Sequence, residues 1–178
     1  MKLSDLGHRI CILGPSNSGK STLANAIGRK CDLQSIHLDQ LYHLPDTQWR
    51  PRPTEEFVSL HDAAIAGERW VMDGNYTKLL PQRLARATGI ILLDVSTTLS
   101  VMRYINRTVF QGQRYGGLQG GKDVLNWNMF HHITVVTPKS RQRYANLFEQ
   151  WTLPKLQLSS AKAIKKQMEK WDLVLHSK

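Results

Sequence analysis

Cysteine is scarce: Cys11 and Cys31 are the only two in 178 residues, too few for the disulfide framework that staples small secreted domains. Cys11 lies inside a short apolar run, so a buried, reduced thiol is expected, and with it a cytoplasmic setting. Long apolar runs are missing as well. None approaches the roughly 20 residues that a membrane span needs, so no membrane partner is expected. Met1-Lys2-Leu3-Ser4-Asp5 lacks the apolar core of a signal peptide, which agrees with the same setting. Low-complexity tracts and internal repeats are absent, which argues against disordered and solenoid architectures.

Acid is short in the second part of the chain. Residues 1–100 carry 11 Lys and Arg against 10 Asp and Glu, whereas residues 101–178 carry 13 against 4. Such an asymmetry suits nucleic acid, or arginines gathered around a polyphosphate together with solvated helix faces. Lys162, Lys165, Lys166 and Lys170 follow helical spacing and read as a wet helix surface. With 41% hydrophobic residues, the composition supports one α/β domain with a sizeable core over 1–178.

What is present is a phosphate-binding loop. Gly14-Pro15-Ser16-Asn17-Ser18-Gly19-Lys20-Ser21 fits G-x-x-x-x-G-K-[ST] at every required position. The apolar run Arg9–Leu13 before it reads as a buried parallel strand. Ser21–Ile27 after it reads as a helix, with Leu23 and Ile27 on one face. Glycine permits the tight turn that aims successive N–H groups at phosphate oxygens, and the new helix adds its positive end. Gly14 to Ser21, with Thr22 just beyond, are the expected nucleotide contacts. Lys20 supplies a mobile charge for the phosphates, and the Ser21 hydroxyl is suited to Mg²⁺.

Downstream, strands alternate with helices. Gln34–Asp39 reads as a second strand ending on a carboxylate. Ligands in parallel sheets bind beyond the carboxyl ends of the strands, so Asp39 is expected to face the loop's crevice and to take a substrate hydroxyl proton or polar group. Residues 40–69 form the expected acceptor segment. Its first part holds Tyr42, Trp49, Arg50 and Arg52 among prolines that prevent a long helix. Thr54 is the expected cap of a helix with Glu55 and Glu56 in its first turn. Trp70–Gly74 is the third strand, a helix runs from about Thr77 to Ala87, and Gly89–Val95 is the fourth strand. Both later strands carry a terminal Asp. The pattern leaves Asp73 and Asp94 open as the metal carboxylate.

Thr97 or Thr98 is expected to cap the next helix, on which Arg103 and Arg107 share a face. Gly112–Gly121 is too rich in glycine for a stable helix or core strand. It suits a lid, about 108–125, bearing Arg114. A helix is expected over Lys122–Val136, whose His131 and His132 lack a metal partner at helical spacing. Pro138 after Thr137 opens another helix, Leu153–Leu158 is a short strand, and Ser159 or Ser160 caps the lysine-rich helix. Trp171–His176 reads as a last strand.

The order of these motifs resembles the small phosphate-loop kinases related to adenylate and shikimate kinases. Within that group it looks most like the DNA topology modulation, or FlaR-type, proteins. The resemblance rests on Gly14–Ser21, on Asp39-Gln40-Leu41-Tyr42 followed by Trp49, and on Trp70-Val71-Met72-Asp73-Gly74-Asn75-Tyr76. It continues through Ile91–Asp94 into Arg103 and Arg107, roughly residues 8–148. It implies a three-layer phosphate-loop α/β sandwich with a five-stranded parallel sheet in the order 2-3-1-4-5. It also implies Asp73 as the metal carboxylate and Asp39 on the acceptor side. Arg103 would lie against the ATP base, Arg107 at the transferred phosphate, and Arg141 would close over it. Asn75-Tyr76 stands where adenylate kinases have Phe-Pro, and no arginine follows directly.

The expected function is therefore a Mg²⁺- and ATP-dependent phosphotransferase acting on a small acceptor, a nucleoside or nucleotide being the first class to try. Lys20, Asp39, Arg107 and Arg114 are its expected catalytic residues. The alternative is a regulatory phosphate-loop ATPase that binds nucleic acid, encouraged by the basic second half. Against it, neither Asp73 nor Asp94 is followed by Glu, the usual water-activating residue of ATPase motors. A GTPase switch fares worse, because no Asn-Lys-x-Asp occurs.

Overall fold

The computed structural model describes residues 1–47, 49–110 and 137–174, excepting the side chains of 107–110 and 137–140. Of the expected lid, 108–110 form the end of a helix that reaches Phe110; the remainder with Arg114, the 122–136 helix, His131, His132 and the side chain of Arg107 lie outside the described residues.

Five strands form one sheet: β1 (Arg9–Leu13), β2 (Gln34–His37), β3 (Trp70–Asp73), β4 (Gly89–Leu93) and β5 (Lys155–Leu158). Their order is β2-β3-β1-β4-β5, and every pairing is parallel. This is the α/β phosphate-loop architecture, with sheet order as expected. Parallel strands need crossovers, and helices supply them: α1 (Lys20–Cys31), α2 (Leu38–Tyr42), α3 (Thr54–Ala66), α4 (Leu80–Arg86), α5 (Thr97–Phe110), α6 (Thr137–Gln150) and α7 (Ala161–Lys170).

Alternation along the strands divides the core between two faces. Ile10, Ile12, Val71, Ile91 and Leu93 pack with Leu23 and Ile27 of α1 and with Ile164 and Met168 of α7. On the other face Cys11, Trp70 and Met72 meet Phe57 and Ile65 of α3, while Leu13, Ile90 and Leu92 meet Leu80, Tyr144 and Phe148. Burial pushes the Cys11 thiol up to about 11, so it stays protonated and inert. No helix among the described residues is long and apolar enough to cross a membrane.

Several boundaries differ from the sequence expectation. Strand β2 stops at His37, and Asp39 falls in the first turn of α2, because buried Leu38 turns the chain inward. Thr54 is the first residue of α3, and the cap position belongs to Pro53, whose carbonyl accepts from Phe57 N at 3.1 Å. Ser96, not Thr97 or Thr98, caps α5: its Oγ accepts from Leu99 N at 3.3 Å. Ser160 does cap α7, accepting from Ala163 N at 3.1 Å, and the four lysines of that helix are exposed. The strand expected over 171–176 is not found in its described part. Asp172 adopts φ 50°, Leu173 N bonds back to Met168 O at 2.9 Å, and Trp171 plugs the core below α7. A left-handed residue ends a helix and cannot continue a strand.

His61 of α3 is fully buried. Its Nδ1 meets Asp62 at 3.0 Å. Burial lowers its pKa, with Arg83 adding to the effect and Asp62 opposing it. The unfolded chain therefore takes up this proton at a higher pH than the folded one. The stability tied to neutral His61 is present above about pH 6.5 and is lost as pH falls from there toward the depressed value. Chemical denaturation from pH 7.5 to 5.5 should show a falling midpoint for the native protein. In His61→Gln that slope should be shallower.

Candidate active site

The phosphate loop joins the carboxyl end of β1 to α1. Gly14 has φ 142°, and a Cβ there would lie 2.3 Å from Leu93 O, so only glycine lets the loop cross β4 this closely. Asn17 follows with φ 60°. Gly19 caps α1 in a left-handed conformation. The Lys20 ammonium donates to the carbonyls of Gly14 at 3.0 Å and Pro15 at 2.7 Å. Arg103 reaches from α5 to the Ser18 carbonyl at 2.7 Å, and burial lowers its pKa. Thr22 follows in the first turn of α1.

Ser21 and Asp73 meet directly: the hydroxyl donates to Asp73 Oδ2 at 2.7 Å. The other carboxylate oxygen, Oδ1, bonds Nδ1 of His37. Asn25, one turn on from Ser21, touches both the Ser21 carbonyl at 2.9 Å and His37 Nε2 at 3.0 Å. Asp94 is occupied elsewhere. It pairs with Arg141, a hydrogen bond that raises the Arg141 pKa, and accepts from Gln157 Nε2 at 3.2 Å. Of the two strand-end carboxylates, only Asp73 touches Ser21.

Asp39 is exposed, yet it borders the same cavity as the loop. That cavity has a volume of about 320 Å³ and is lined by Gly14, Lys20, Asp39, Asn75, Tyr76, Asp94, Arg141 and Tyr144, among others. It falls within the range of small-ligand sites. The Tyr76 hydroxyl donates to Asp39 Oδ1 at 2.7 Å. Burial, then the neighbouring carboxylate, raise the Tyr76 pKa, so the phenol remains a donor. Its ring packs against Tyr42 and Phe57. Trp49 lies edge-on to His43, and Arg52 pairs with Glu56 at 2.6 Å.

The turn Gly74-Asn75-Tyr76 ties these parts together. Gly14 N donates to Asn75 Oδ1 at 3.1 Å, which links the turn to the phosphate loop. Beneath the turn lies Arg83 of α4, fully buried. Its guanidinium donates to the carbonyls of Gly74 at 2.9 Å, of Asn75, and of Tyr76 at 3.4 Å. Burial lowers its pKa. Sequence reasoning assigned no role to Arg83, His37 or Asn25. The signal for Arg83 was a charged residue three positions after Leu80 on the apolar face of its helix. For His37 it was the alternation Ser35, His37 that turns the ring to the face carrying Asp73.

No protein-family model and no curated protein matches the chain. Among solved structures, it is similar in fold to a gluconokinase from Sinorhizobium meliloti 1021. That protein is 13% identical, with a TM-score of 0.50, over 94% of this chain and 93% of its own. At that identity the likeness is one of fold, and it agrees with the phosphate-loop sheet.

Replacing Arg83 by Leu should destabilise the protein by about 1–3 kcal/mol for each buried carbonyl left without a donor. Denaturant unfolding of Arg83→Leu against the native chain measures this. Arg83→Lys should recover only part of the loss, because one ammonium cannot reproduce the planar fork.

Proposed function

We propose that the protein is a Mg²⁺- and ATP-dependent kinase that phosphorylates a hydroxyl group of a small acceptor. One observation carries this reading: a complete phosphate loop, whose Ser21 is bonded to Asp73, opens into the same cavity as the Asp39 carboxylate. The likeness in fold to a gluconokinase supports the same reaction class. A cytoplasmic setting suits an ATP-dependent enzyme whose two cysteines are free thiols.

The residues fit the ligands this function needs. Mg²⁺ keeps most of its waters and takes only one or two protein oxygens, which Ser21 and Asp73 would provide. The Gly14 crossing supplies a backbone cradle that a Cβ would fill, the form in which loops approach phosphates. When bound, Mg²⁺ neutralises charge on the phosphates and orients them for transfer.

The chain's own groups do the rest. Lys20 rests on two neutral carbonyls. It exchanges them for phosphate oxygens, where a charge-assisted hydrogen bond is stronger. Asp39 accepts the proton of the acceptor hydroxyl as its oxygen bonds to phosphorus and ADP departs. Tyr76 holds the Asp39 carboxylate in position before the acceptor arrives. Arg103 and Arg141 are the assigned nucleotide contacts, Arg141 after leaving Asp94, with Arg107 and Arg114 at the transferred phosphate. A nucleoside or nucleotide acceptor is the first class to test, followed by sugars and sugar acids.

Acceptor-dependent ADP release by the purified protein, screened over those compounds, tests the reading. Turnover that needs DNA and no small acceptor would favour the regulatory ATPase instead. Lys20→Ala should lose two to three decades of kcat, about 2.7–4 kcal/mol of transition-state stabilisation, with melting unchanged; full turnover would sink the assignment. The two carboxylates should separate by role. Asp73→Asn should weaken the Mg²⁺ response with every acceptor, whereas Asp39→Asn should spare MgATP binding and lose transfer. The reverse pattern in Mg²⁺ and acceptor titrations would exchange their roles.

A further inference from the structure

Strand β2 lies beside β3 in a register that sets His37 against Asp73. In parallel strands such neighbours project to the same face, here the face covered by α1. Both side chains are buried. Hydrogen bonds then close a ring that starts and ends on Ser21. The Ser21 carbonyl accepts from Asn25 Nδ2 at 2.9 Å, Asn25 Nδ2 meets His37 Nε2 at 3.0 Å, His37 Nδ1 meets Asp73 Oδ1, and Asp73 Oδ2 accepts from the Ser21 hydroxyl at 2.7 Å.

This ring determines where the imidazole proton sits. Asn25 must turn its NH₂ toward the Ser21 carbonyl, since its own oxygen there would oppose another acceptor. The second amide hydrogen then points at His37 Nε2, which has to accept. The ring proton is left on Nδ1, where it is donated to Asp73.

We infer that His37 is a positioning residue for the metal carboxylate: held as the Nδ1–H tautomer by Asn25, it occupies Asp73 Oδ1 and leaves Oδ2 to serve Ser21 and Mg²⁺. The phosphate-loop pattern requires no histidine at this place. The inference rests on the reading of Asp73 as the Mg²⁺ carboxylate. A carboxylate with one oxygen tied down cannot rotate away when the Ser21 hydroxyl turns to the metal. Partners of this kind typically set metal affinity by 10- to 100-fold.

Two measurements test it without relying on turnover. Long-range ¹⁵N spectra of the native protein should report the His37 proton on Nδ1 and an accepting Nε2; a proton on Nε2 would overturn the inference. Mn²⁺ binding in the presence of ADP, followed by electron paramagnetic resonance, supplies the second. His37→Phe should bind Mn²⁺ about tenfold more weakly. His37→Asn, which can still donate to Asp73, should recover most of that loss. A purely structural role would lower the melting temperature of both variants and leave Mn²⁺ affinity alone.

In an Asp73→Asn background, His37→Phe should cause no further weakening. Native-like Mn²⁺ binding by His37→Phe beside weakened binding by Asp73→Asn would refute the role of His37 and spare that of Asp73. Unchanged binding by Asp73→Asn would refute the metal reading, and the inference with it. If His37→Phe does not fold, His37→Leu, which also lacks a donor, takes its place: a tenfold loss of Mn²⁺ affinity supports the role and native-like affinity overturns it.

Discussion

An arginine whose hydrogen bonds go to main-chain carbonyls lies at the centre of this molecule. Taking a guanidinium out of water costs several kcal/mol unless hydrogen bonds replace its hydration, and Arg83 obtains them from three consecutive residues, Gly74, Asn75 and Tyr76. The negative charge of Asp73 also favours the charged form. In return, the carbonyls of Gly74 and Asn75 gain a donor, while that of Tyr76 also accepts from Leu79 N at 3.1 Å. Tyr76 adopts φ 32°, a conformation costly for a bulky residue, and Arg83 helps to hold it there. The turn touches the phosphate loop through Asn75 and Gly14, and the Asp39 carboxylate through Tyr76. One buried side chain therefore sets the spacing between the two halves of the site.

The cations around the cavity follow a common logic. Lys20 and Arg103 bond neutral loop carbonyls, partners that a phosphate outbids because charge-assisted bonds are roughly twice as strong. Arg141 differs, since it is paired with a carboxylate. On the proposed function its release would exchange one anion for another. The pair is partly exposed, where ion pairs contribute about 0–1 kcal/mol, so the exchange remains within reach of a polyphosphate ligand. The arrangement keeps positive charge close to the loop while every such group retains a partner.

Much of the fold was legible because its signals are local. The Gly14–Ser21 motif, the apolar runs of β1, β3 and β4, and the Ser160 cap each depend on a few neighbouring residues. The failures share a different cause. Trp171-Asp172-Leu173-Val174 has strand-like composition, yet Trp171 serves as the plug beneath α7 and Asp172 turns left-handed; tertiary packing overrides local preference there. Asp39 looked like a strand end because Ser35, His37 and Asp39 alternate, but Leu38 buries itself and starts α2. His37, Asn25 and Arg83 escaped notice because their partners are set by strand register and helix docking, which no short window contains.

Register also explains why two similar Asp residues do different things. Both β3 and β4 flank β1, and each is followed or ended by a carboxylate near the loop. Ile12 of β1 is level with Asp73 on one side and with Ile91 on the other. Asp94 thus lies three residues further along its own strand direction. Side chains change face at every residue, so an odd offset sends Asp94 to the opposite face from Asp73. Asp73 shares the face of α1 and meets Ser21 and His37; Asp94 meets Arg141 of α6 and Gln157 of β5. A terminal Asp is a property of each strand alone, whereas contact with Ser21 is a property of how the strands are aligned.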